Sequence, residues 1–486
     1  MQVPFGEWLP DQPDHGKQGA NVATNVYHAA NTYKRFPSLV AYSSNTTSTD
    51  SKGAGSFRDN SNTVYNFVAT RTNIYQLTSG AFTSRKASLS GAADDFWTFT
   101  QFGEYVIASN GVDAAQYYLM GTSTNFANLT AIQTAGTAPV FRVSGVVRDF
   151  LVVGNITNAT NRIQWSGIND ITVWSGKQSD SQDLPGSGGQ VVAITSGEVG
   201  YVFRQNQIIR MDYVGGATVF RLSVISPNRG AVYGRTVCQD NRQIFFYADD
   251  GFYQINGDQI MPIGVEKVNR YFDLNLNKAY ADRICAAVDP FNQLAMWLFP
   301  STSNTANTTG ICDKIIIYNY ATKKWSLANA SASTIFSQFV GAYTVELMDI
   351  LSQNLENINA ALDTDFWSGG QVLLGGIDSD YKAAIFSGTD NECEVETAEI
   401  EPFPGMRANI TGVRPIVDAT ATLTVKARER LADTESETSS VSMRDSGINP
   451  VRKSGRYIRA NVKVPSGTTF THAQGIDLVA TRAGTR

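Results

Sequence analysis

The chain has 486 residues, 42% of them hydrophobic and 17% charged, with a formal net charge of −5. This composition supplies enough apolar side chains for large cores and excludes an intrinsically disordered chain. The acidic balance excludes a general nucleic-acid binder, because neutralising phosphates requires clustered Lys and Arg. The length indicates two to four domains, unless one large β architecture takes up most of the chain.

Residues that commonly build catalytic or metal sites are sparse. The four cysteines are far apart with no C-x-x-C pair, and no histidine occurs between His28 and His472. A His-based triad or metal site is therefore restricted to a place where the two termini meet. We predict no catalytic, cofactor or metal site. The chain lacks an apolar run of ~18 residues and a signal-peptide pattern, so we expect a soluble protein made and assembled in a cytoplasm.

The first segment, residues 1–50, contains few helix signals and several prolines, as in Trp8-Leu9-Pro10 and Phe36-Pro37, which predicts an extended conformation. The last segment, residues 395–486, alternates apolar and polar residues again, as in "ATLTVKARER" and "GRYIRANVKV". We expect a small β-sandwich from the last segment, joined by the first segment, so that the two ends of the chain close together.

The middle segment, residues 51–394, repeats a coarse unit of apolar strand, short polar or Gly turn, and aromatic-rich strand. The turn centres recur roughly every 40 to 50 residues, the period of propeller blades. We predict an all-β fold: a β-propeller of about six to seven blades with the terminal β domain added. A stack of two β-sandwiches is the alternative. The turn centres are Asn73, Asn110, Asn155, Gln205, Asp250 and the loop at Ser301.

A Gly-rich stretch, Pro185-Gly186-Ser187-Gly188-Gly189, resembles a phosphate loop in composition. Phosphate loops place their amides at the N-terminus of a helix, whereas Val191 to Ile194 here predict a strand. The Gly-Lys-Ser/Thr signature is also missing. We predict a turn between sheets.

An insertion at residues 341–370 breaks the strand pattern. Its leucines and isoleucine recur at spacings of three and four residues, which predicts an amphipathic helix. From Trp325 to Tyr381 there are seven acidic residues and no Lys or Arg. A solvated acidic face on a helix packed outside the propeller is one interpretation; the other follows from the resemblance below.

Several segments resemble the tail nozzle proteins of short-tailed bacteriophages, also called tail hub or tail tubular B proteins. They include "PFGEWLPDQPDHGKQGANVATNVYHAANTYKRFPSLVAY", "IQWSGINDITVWSGKQSDSQDLPGSGGQVVAITSGEVGYVFRQNQIIRMDYVGG", "SPNRGAVYG", "DDGFYQINGDQIMPIGVEKVNRYF" and "SGRYIRANVKV". They follow one another in order over nearly the whole chain.

The resemblance implies a structural protein of the virion tail rather than an enzyme, without a cofactor. It implies a β-propeller with an added β domain, assembled as a six-fold ring (a hexamer) below the portal and adaptor rings. The implied partners are further copies of the chain, the head-tail adaptor ring, and tail fibre, spike or needle proteins. Phage DNA would pass through the ring during ejection without sequence-specific binding. Arg204 and Arg210 are then inter-strand or interface charges rather than DNA-gripping groups.

The charge distribution suggests which end meets the adaptor. Residues 402–486 contain 13 basic and 7 acidic residues, a net of +6, which leaves −11 for the rest. Complementary charge guides encounter and register, and buried aromatic residues dominate interface energy. Stapling of the terminal domain to itself is the alternative role for the apolar residues. The candidate adaptor interface consists of Phe5, Trp8, Leu9, Arg452, Lys453, Arg456 and Arg459.

In a nozzle, the acidic insertion would lie at or near the channel, as a lining or as a gate before ejection. An acidic wall repels phosphates and lets DNA slide, whereas a basic wall holds them. The candidate lining residues are Glu346, Asp349, Glu356, Asp363 and Asp365.

Two other functions are compatible with the sequence. A propeller glycan hydrolase needs two carboxylates ~5 to 9.5 Å apart, and sequence does not measure that distance. A receptor-binding module would use an exposed loop such as residues 299–310, although polar loops are commonly only solvated. The carboxylates considered for hydrolysis are Glu198, Asp249, Asp250, Asp289 and Asp378.

Overall fold

The structure is a computed structural model that describes residues 1–78, 80–216, 218–304, 310–339 and 372–484. In these residues the fold is all-β, with 41 strands and four short helical segments. The helix expected at residues 341–370 lies outside the described residues. The helical segments are η1 (Leu129–Ile132), η2 (Gly234–Thr236), α1 (Asn269–Asn275) and η3 (Lys278–Arg283).

Seven short strands open the chain and belong to several different sheets. They are β1 (Gln2–Pro4), β2 (Glu7–Trp8), β3 (Gly19–Ala20), β4 (Val22–Thr24), β5 (Val26–Ala29), β6 (Thr32–Arg35) and β7 (Ser38–Ala41).

Five successive four-stranded antiparallel sheets follow, each built from consecutive strands. The strands are β8 (Gly53–Arg58), β9 (Val64–Ala69), β10 (Ile74–Thr78), β11 (Ala81–Lys86); β12 (Thr98–Phe102), β13 (Tyr105–Ser109), β14 (Gln116–Leu119), β15 (Ala127–Asn128); β16 (Phe141–Val147), β17 (Phe150–Ile156), β18 (Ala159–Trp165), β19 (Asp180–Asp183); β20 (Val191–Ile194), β21 (Val199–Arg204), β22 (Ile208–Tyr213), β23 (Phe220–Ser226); β24 (Cys238–Asp240), β25 (Gln243–Ala248), β26 (Gly251–Asn256), β27 (Gln259–Pro262).

The next strands form a larger sheet that joins the ring to the terminal part of the chain. β28–β31 pair in order, and the far half of β31 pairs with β32, which leads through β33 to the N-terminal β7. The long strand β31 thus pairs with β30 along its first half and with β32 along its second half. The strands are β28 (Cys285–Asp289), β29 (Leu294–Phe299), β30 (Cys312–Asn319), β31 (Lys324–Phe339), β32 (Val372–Asp378) and β33 (Ala383–Gly388).

The first strands of successive sheets surround one cavity: β8, β12, β16, β20, β24 and β28, together with β31, all contribute lining residues. This radial arrangement of four-stranded sheets is that of a β-propeller. Apolar side chains fill the spaces between adjacent sheets, and the middle strands are the most buried: every residue of β17 and β29 is buried. Such strands require sheets on both faces, so the ring itself supplies the burial.

Two further sheets from the ends of the chain pack over one core. One has the order β39-β35-β41-β6-β5, with β1 on β41; the other continues the large sheet from β31 through β4, β34, β40 and β36. Residue 395, expected as a domain boundary, lies inside β34. The strands are β34 (Cys393–Glu396), β35 (Ala408–Val417), β36 (Thr422–Arg428), β37 (Ser436–Glu437), β38 (Val441–Ser442), β39 (Asn449–Gly455), β40 (Tyr457–Val464) and β41 (Ala473–Arg482).

The N-terminal segment also contacts and caps α1, a helix that the strand pattern did not predict. The Asp11 carboxylate accepts hydrogen bonds from the backbone N–H groups of Arg270 and Tyr271 at 2.8 and 2.7 Å. A carboxylate at this end of a helix satisfies amides that have no intrahelical partner. The helix therefore depends on a residue about 260 positions away in the chain.

Five of the six expected turn centres lie between the second and third strands of their sheets. The exception is Asn155, which lies within β17 with a φ of +54°. The chain turns after it, where Asn158 also has a positive φ. Asn tolerates this left-handed conformation, so an Asn-rich stretch did not locate the turn uniquely.

Candidate functional site

The central cavity has a volume of about 790 Å³. It is lined near the beginnings of the inner strands, by residues such as Gly53, Thr98, Gln190 and Ala286. Its volume is in the range of small-molecule sites, and its wall mixes polar and apolar groups. No single sequence motif marks it, because each sheet contributes only a few residues.

Two arginines line this cavity in different electrostatic settings. The Arg142 guanidinium donates to the Asp95 carboxylate at 2.7 Å, so its charge is neutralised. Arg235 instead donates to the Thr334 hydroxyl at 3.1 Å and lies 4.4 Å from the centroid of the Phe96 ring. Both contacts of Arg235 are with neutral groups.

The cysteines are mostly buried, and Cys238 is half-buried. Cys285, Cys312 and Cys393 are buried and none of the four is in a disulfide. Burial raises the pKa of the Cys285 thiol and raises that of Cys312 further, so both stay protonated near neutral pH. Within the described part of the chain, no group of three His, Cys, Asp or Glu side chains has the arrangement of a metal site.

His28 is buried with its imidazole Nε2 3.0 Å from the Lys324 ammonium. Burial, with the positive charge of Lys324 adding to it, lowers the pKa of His28 from 6.5 to about 4. The imidazole is therefore neutral near pH 7 and accepts the lysine's hydrogen bond, which indicates a structural role.

The Gly-rich loop at residues 185–189 surrounds a cation rather than an anion. The Arg204 guanidinium donates to the backbone carbonyls of Pro185 at 2.7 Å, Gly186 at 3.2 Å and Gly189 at 2.9 Å. A phosphate loop presents N–H groups, whereas this loop presents oxygens. Strand β20 follows, as the sequence predicted, and the loop connects two sheets.

Arg204 and Arg210 have different roles. Arg204 is 1% exposed and pairs with carbonyls, which is not the inter-strand or interface charge that we expected. Arg210 pairs with Asp212 on its own strand and with Asp258 in the next sheet. Only Arg210 is therefore an inter-strand charge, and it links two neighbouring sheets.

The apolar candidates for the adaptor interface lie inside the protein. Phe5 and Trp8 are 1% and 2% exposed and belong to the core beneath the terminal sheets. Trp8 contacts the Tyr271 ring edge-on and donates its indole N–H to the Asn21 carbonyl at 3.1 Å. Leu9 is half-buried. Phe5 and Trp8 therefore staple the chain to itself, and their side chains are not offered to a partner.

The basic candidates divide into internal and outward-facing groups. Arg459 is 11% exposed at its side chain and pairs with Asp14 at 3.2 Å, Glu396 at 3.3 Å and Glu435. This network neutralises Arg459 inside the terminal unit, which corrects its assignment to a docking surface. Arg456 is half-buried, with its Nε enclosed and lacking a hydrogen-bond partner.

Arg452 and Lys453 lie on the edge strand β39. Arg452 is exposed and Lys453 is half-buried. In the same sheet β35 pairs with β39, and β41 pairs with the other edge of β35; these two strands carry Arg414 and Arg482, which are also exposed. Exposed basic side chains therefore occur on three adjacent strands of this sheet.

The candidate channel residues Glu346, Asp349, Glu356, Asp363 and Asp365 all lie outside the described residues. Their placement at a channel stays a prediction.

Three of the carboxylates considered for glycan hydrolysis have local structural partners. Asp250 pairs with Arg229 at 2.6 Å and accepts the Tyr253 hydroxyl at 2.7 Å. Asp289 accepts backbone N–H groups within its own turn, as does Asp378. Asp249 adjoins Asp250, and Glu198 lies in the β20–β21 turn. Their structural roles give no support to a catalytic pair.

Comparison with known proteins does not identify a family. No protein-family model matches the sequence, and no curated protein matches it. A solved structure described as the crystal structure of a mitotic checkpoint complex contains a similar chain. It is 9% identical, with a TM-score of 0.40, and the match covers 74% of this chain and 98% of that chain. Similarity at this level supports no inference about function.

Among the described residues, no helix is long and apolar enough to cross a membrane. The sequence analysis missed the residues around the cavity, such as Phe96 and Arg235, and Lys52 in the small pocket beside it. They come from separate loops that precede different sheets, so no spacing in the sequence relates them.

Proposed function

We propose that the protein is a structural, ring-forming component of a short-tailed phage tail, a nozzle or hub below the portal and adaptor rings. The observation that carries the proposal is the ordered resemblance of its segments to tail nozzle proteins over nearly the whole chain. The β-propeller agrees with the fold that this family implies. In this role the chain supports DNA retention and ejection and carries out no catalysis.

We further infer a propeller of seven blades and one terminal unit. Five blades are the consecutive four-stranded sheets, the sixth is β28–β31, and the seventh is the far half of β31 with β32, β33 and β7. β31 contacts both β28 and β8, which completes the circle. The N-terminal β7 supplies the outermost strand of the seventh blade, so the closure joins early and late parts of the chain.

In this proposal the DNA conduit lies between copies of the chain. The central cavity of one propeller, about 790 Å³, has the size of a small-ligand site rather than a duct for a duplex. A closed ring with cyclic symmetry supplies an axial channel without requiring one in each subunit. Electron microscopy of the purified protein with its adaptor ring tests this, and six-fold rings are expected. A protein that stays monomeric in the assembled tail would contradict the proposal.

The adaptor-facing surface in this proposal is the outer face of the sheet β39-β35-β41, with Arg414 and Arg452. These side chains are exposed, and Val479 on the same sheet is 44% exposed. Surface charges act mainly on association rate and register. The face is therefore suited to guide docking onto an acidic partner surface.

A charge-reversal experiment separates this surface from general electrostatics. The single variant Arg452→Glu is expected to slow attachment to the adaptor ring, with the effect decreasing as salt rises. Arg221→Glu is the matched control, because Arg221 is a 68% exposed arginine on the propeller. Equal attachment rates for both variants would exclude the proposed face while leaving the ring-forming role open.

A further inference from the structure

A cluster of three cations lies beside the central cavity, close to the place where β31 contacts β8 and closes the ring; we call this place the seam. Lys52 precedes β8, Arg235 lies in η2, and Arg283 ends η3. All three line a small pocket beside the cavity, and Arg235 also lines the cavity itself. We call this cluster the seam cluster.

The seam cluster is closely packed. The Lys52 ammonium and the Arg235 guanidinium lie 5.3 and 4.4 Å from the centroid of the same Phe96 ring. The side chain of Lys52 is only 4% exposed. Removing a cation from water is costly unless an anion or hydrogen bonds replace the lost solvation.

One carboxylate serves the cluster. Asp50 lies 3.0 Å from the Lys52 ammonium and 3.6 Å from the Arg283 guanidinium. Arg235 makes no ion pair with any described residue; its contacts are the Thr334 hydroxyl and the Phe96 ring. The neighbouring Cys312 thiol adds no negative charge, because burial raises its pKa well above the ordinary value.

Other acids nearby do not neutralise Arg235. Asp94 and Asp282 line the same cavity, but neither forms an ion pair with Arg235. Residues 305–309, outside the described part, contain no acidic side chain. Within ion-pair distance the three cations share one carboxylate, an excess of two positive charges inside the cluster, and Asp94 and Asp282 lie farther off on the cavity wall.

We propose that the seam cluster binds a tetrahedral oxyanion of the phosphate or sulfate type, held by Arg235 at the wall of the central cavity. Guanidinium and ammonium groups form strong charge-assisted hydrogen bonds with such oxygens. The seam pocket has room for only one water-sized atom, about 10 Å³, so the anion must lie in the larger cavity against Arg235, the cation of the cluster that lines both spaces. The double local excess matches a dianion better than a monoanion.

Calorimetric titration of the full chain with inorganic phosphate, at constant ionic strength set by chloride, tests the site. Saturable binding is expected, with acetate binding at least about ten-fold more weakly because it carries one charge. Arg235→Gln is expected to weaken phosphate binding by about ten-fold or more. Phosphate binding no stronger than acetate or chloride binding would overturn the proposal.

Arg142→Gln is the matched control, because Arg142 lines the same cavity but is already paired with Asp95. It is expected to leave phosphate affinity within about two-fold. Equal losses in Arg142→Gln and Arg235→Gln would show that phosphate responds to cavity charge in general and would overturn the assignment to the seam.

Two further variants keep the test decisive if Arg235→Gln folds poorly. Arg235→Lys preserves the charge and is expected to retain part of the affinity. Asp282→Asn removes a negative charge from the wall and is expected to tighten phosphate binding a few-fold. If the cluster has a purely structural role, Asp282→Asn will not increase phosphate affinity. An unchanged phosphate affinity in Asp282→Asn would therefore count against the site.

Discussion

Replacing Arg204 by Met would test whether the Gly-rich loop is held by a buried cation. The guanidinium donates to the carbonyls of Pro185, Gly186 and Gly189 and to the Gln207 amide oxygen, over distances of 2.7 to 3.2 Å. Methionine fills a similar volume but donates no hydrogen bond. The loop carbonyls would then need water, which the closed loop does not admit beside a residue that is 1% exposed.

The expected cost follows from these four contacts. A hydrogen bond to a charged group contributes about 1.5–3 kcal/mol net, but the variant also no longer buries a cation. The two effects offset in part, so we expect a loss of about 3–5 kcal/mol. Gly188 packs directly on the guanidinium, since a Cβ there would lie 2.8 Å from the Arg204 Cζ. The loop is therefore shaped around this side chain.

Denaturant unfolding followed by tryptophan fluorescence, with proteinase K cleavage at the loop, measures the effect. Both readouts are needed because a chain of this size need not unfold in two states. Arg210→Met is the control, because its partly exposed ion pairs contribute only about 1 kcal/mol or less. If Arg204→Met unfolds at the same midpoint as Arg210→Met and its loop is cleaved no faster, the carbonyl-cage explanation is refuted.

Three other predictions concern His28, Trp8 and Glu399. The pKa of His28 is lowered in the folded state, so between pH 6.5 and about 4 the unfolded state binds this proton and the folded state does not. The free energy of unfolding therefore decreases as the pH falls through this window. His28→Gln should reduce the fall in the denaturant midpoint over the same window, and a pH profile equal to that of the unsubstituted protein would contradict this prediction. Trp8→Ala should destabilise the terminal unit by about 3–5 kcal/mol because it empties a core site, whereas Leu9→Ala should cost much less; calorimetry on both variants distinguishes core from surface. The Arg428 Nη2 lies 2.6 Å from the Glu399 carboxylate, which is 1% exposed, so Glu399→Leu leaves the guanidinium without its ion-pair partner and should cost about 3–5 kcal/mol of stability. The double variant Glu399→Leu/Arg428→Met should recover much of that loss. Additive costs of the two substitutions would show that the side chains are not coupled.

Local sequence signals determined the strands and most of the turns. Strand alternation and Asp-Gly or Asn turns are set by residues close together in the sequence. Hairpins such as the one at Asp250-Gly251 can therefore be recognised from the sequence alone. The period of the hairpins then indicated a propeller. The strand pattern also correctly ruled out a phosphate loop at residues 185–189, since it required β20 where a helix would be needed.

Long-range pairing decided what the sequence pattern left open. Helix α1 escaped prediction because its cap, Asp11, comes from the N-terminal segment, 259 positions away. The sequence was equally compatible with Phe5 and Trp8 as surface anchors or as core residues, and only the packing of the terminal sheets buries them. Arg459 looked like a surface charge until the fold brought Asp14, Glu396 and Glu435 to it. The seam cluster has the same origin: Lys52, Arg235 and Arg283 are separated by many residues, and the closure of the ring alone makes them neighbours. Hydrophobic periodicity is a local property, whereas the environment of a charge is set by whichever distant strands the fold places around it.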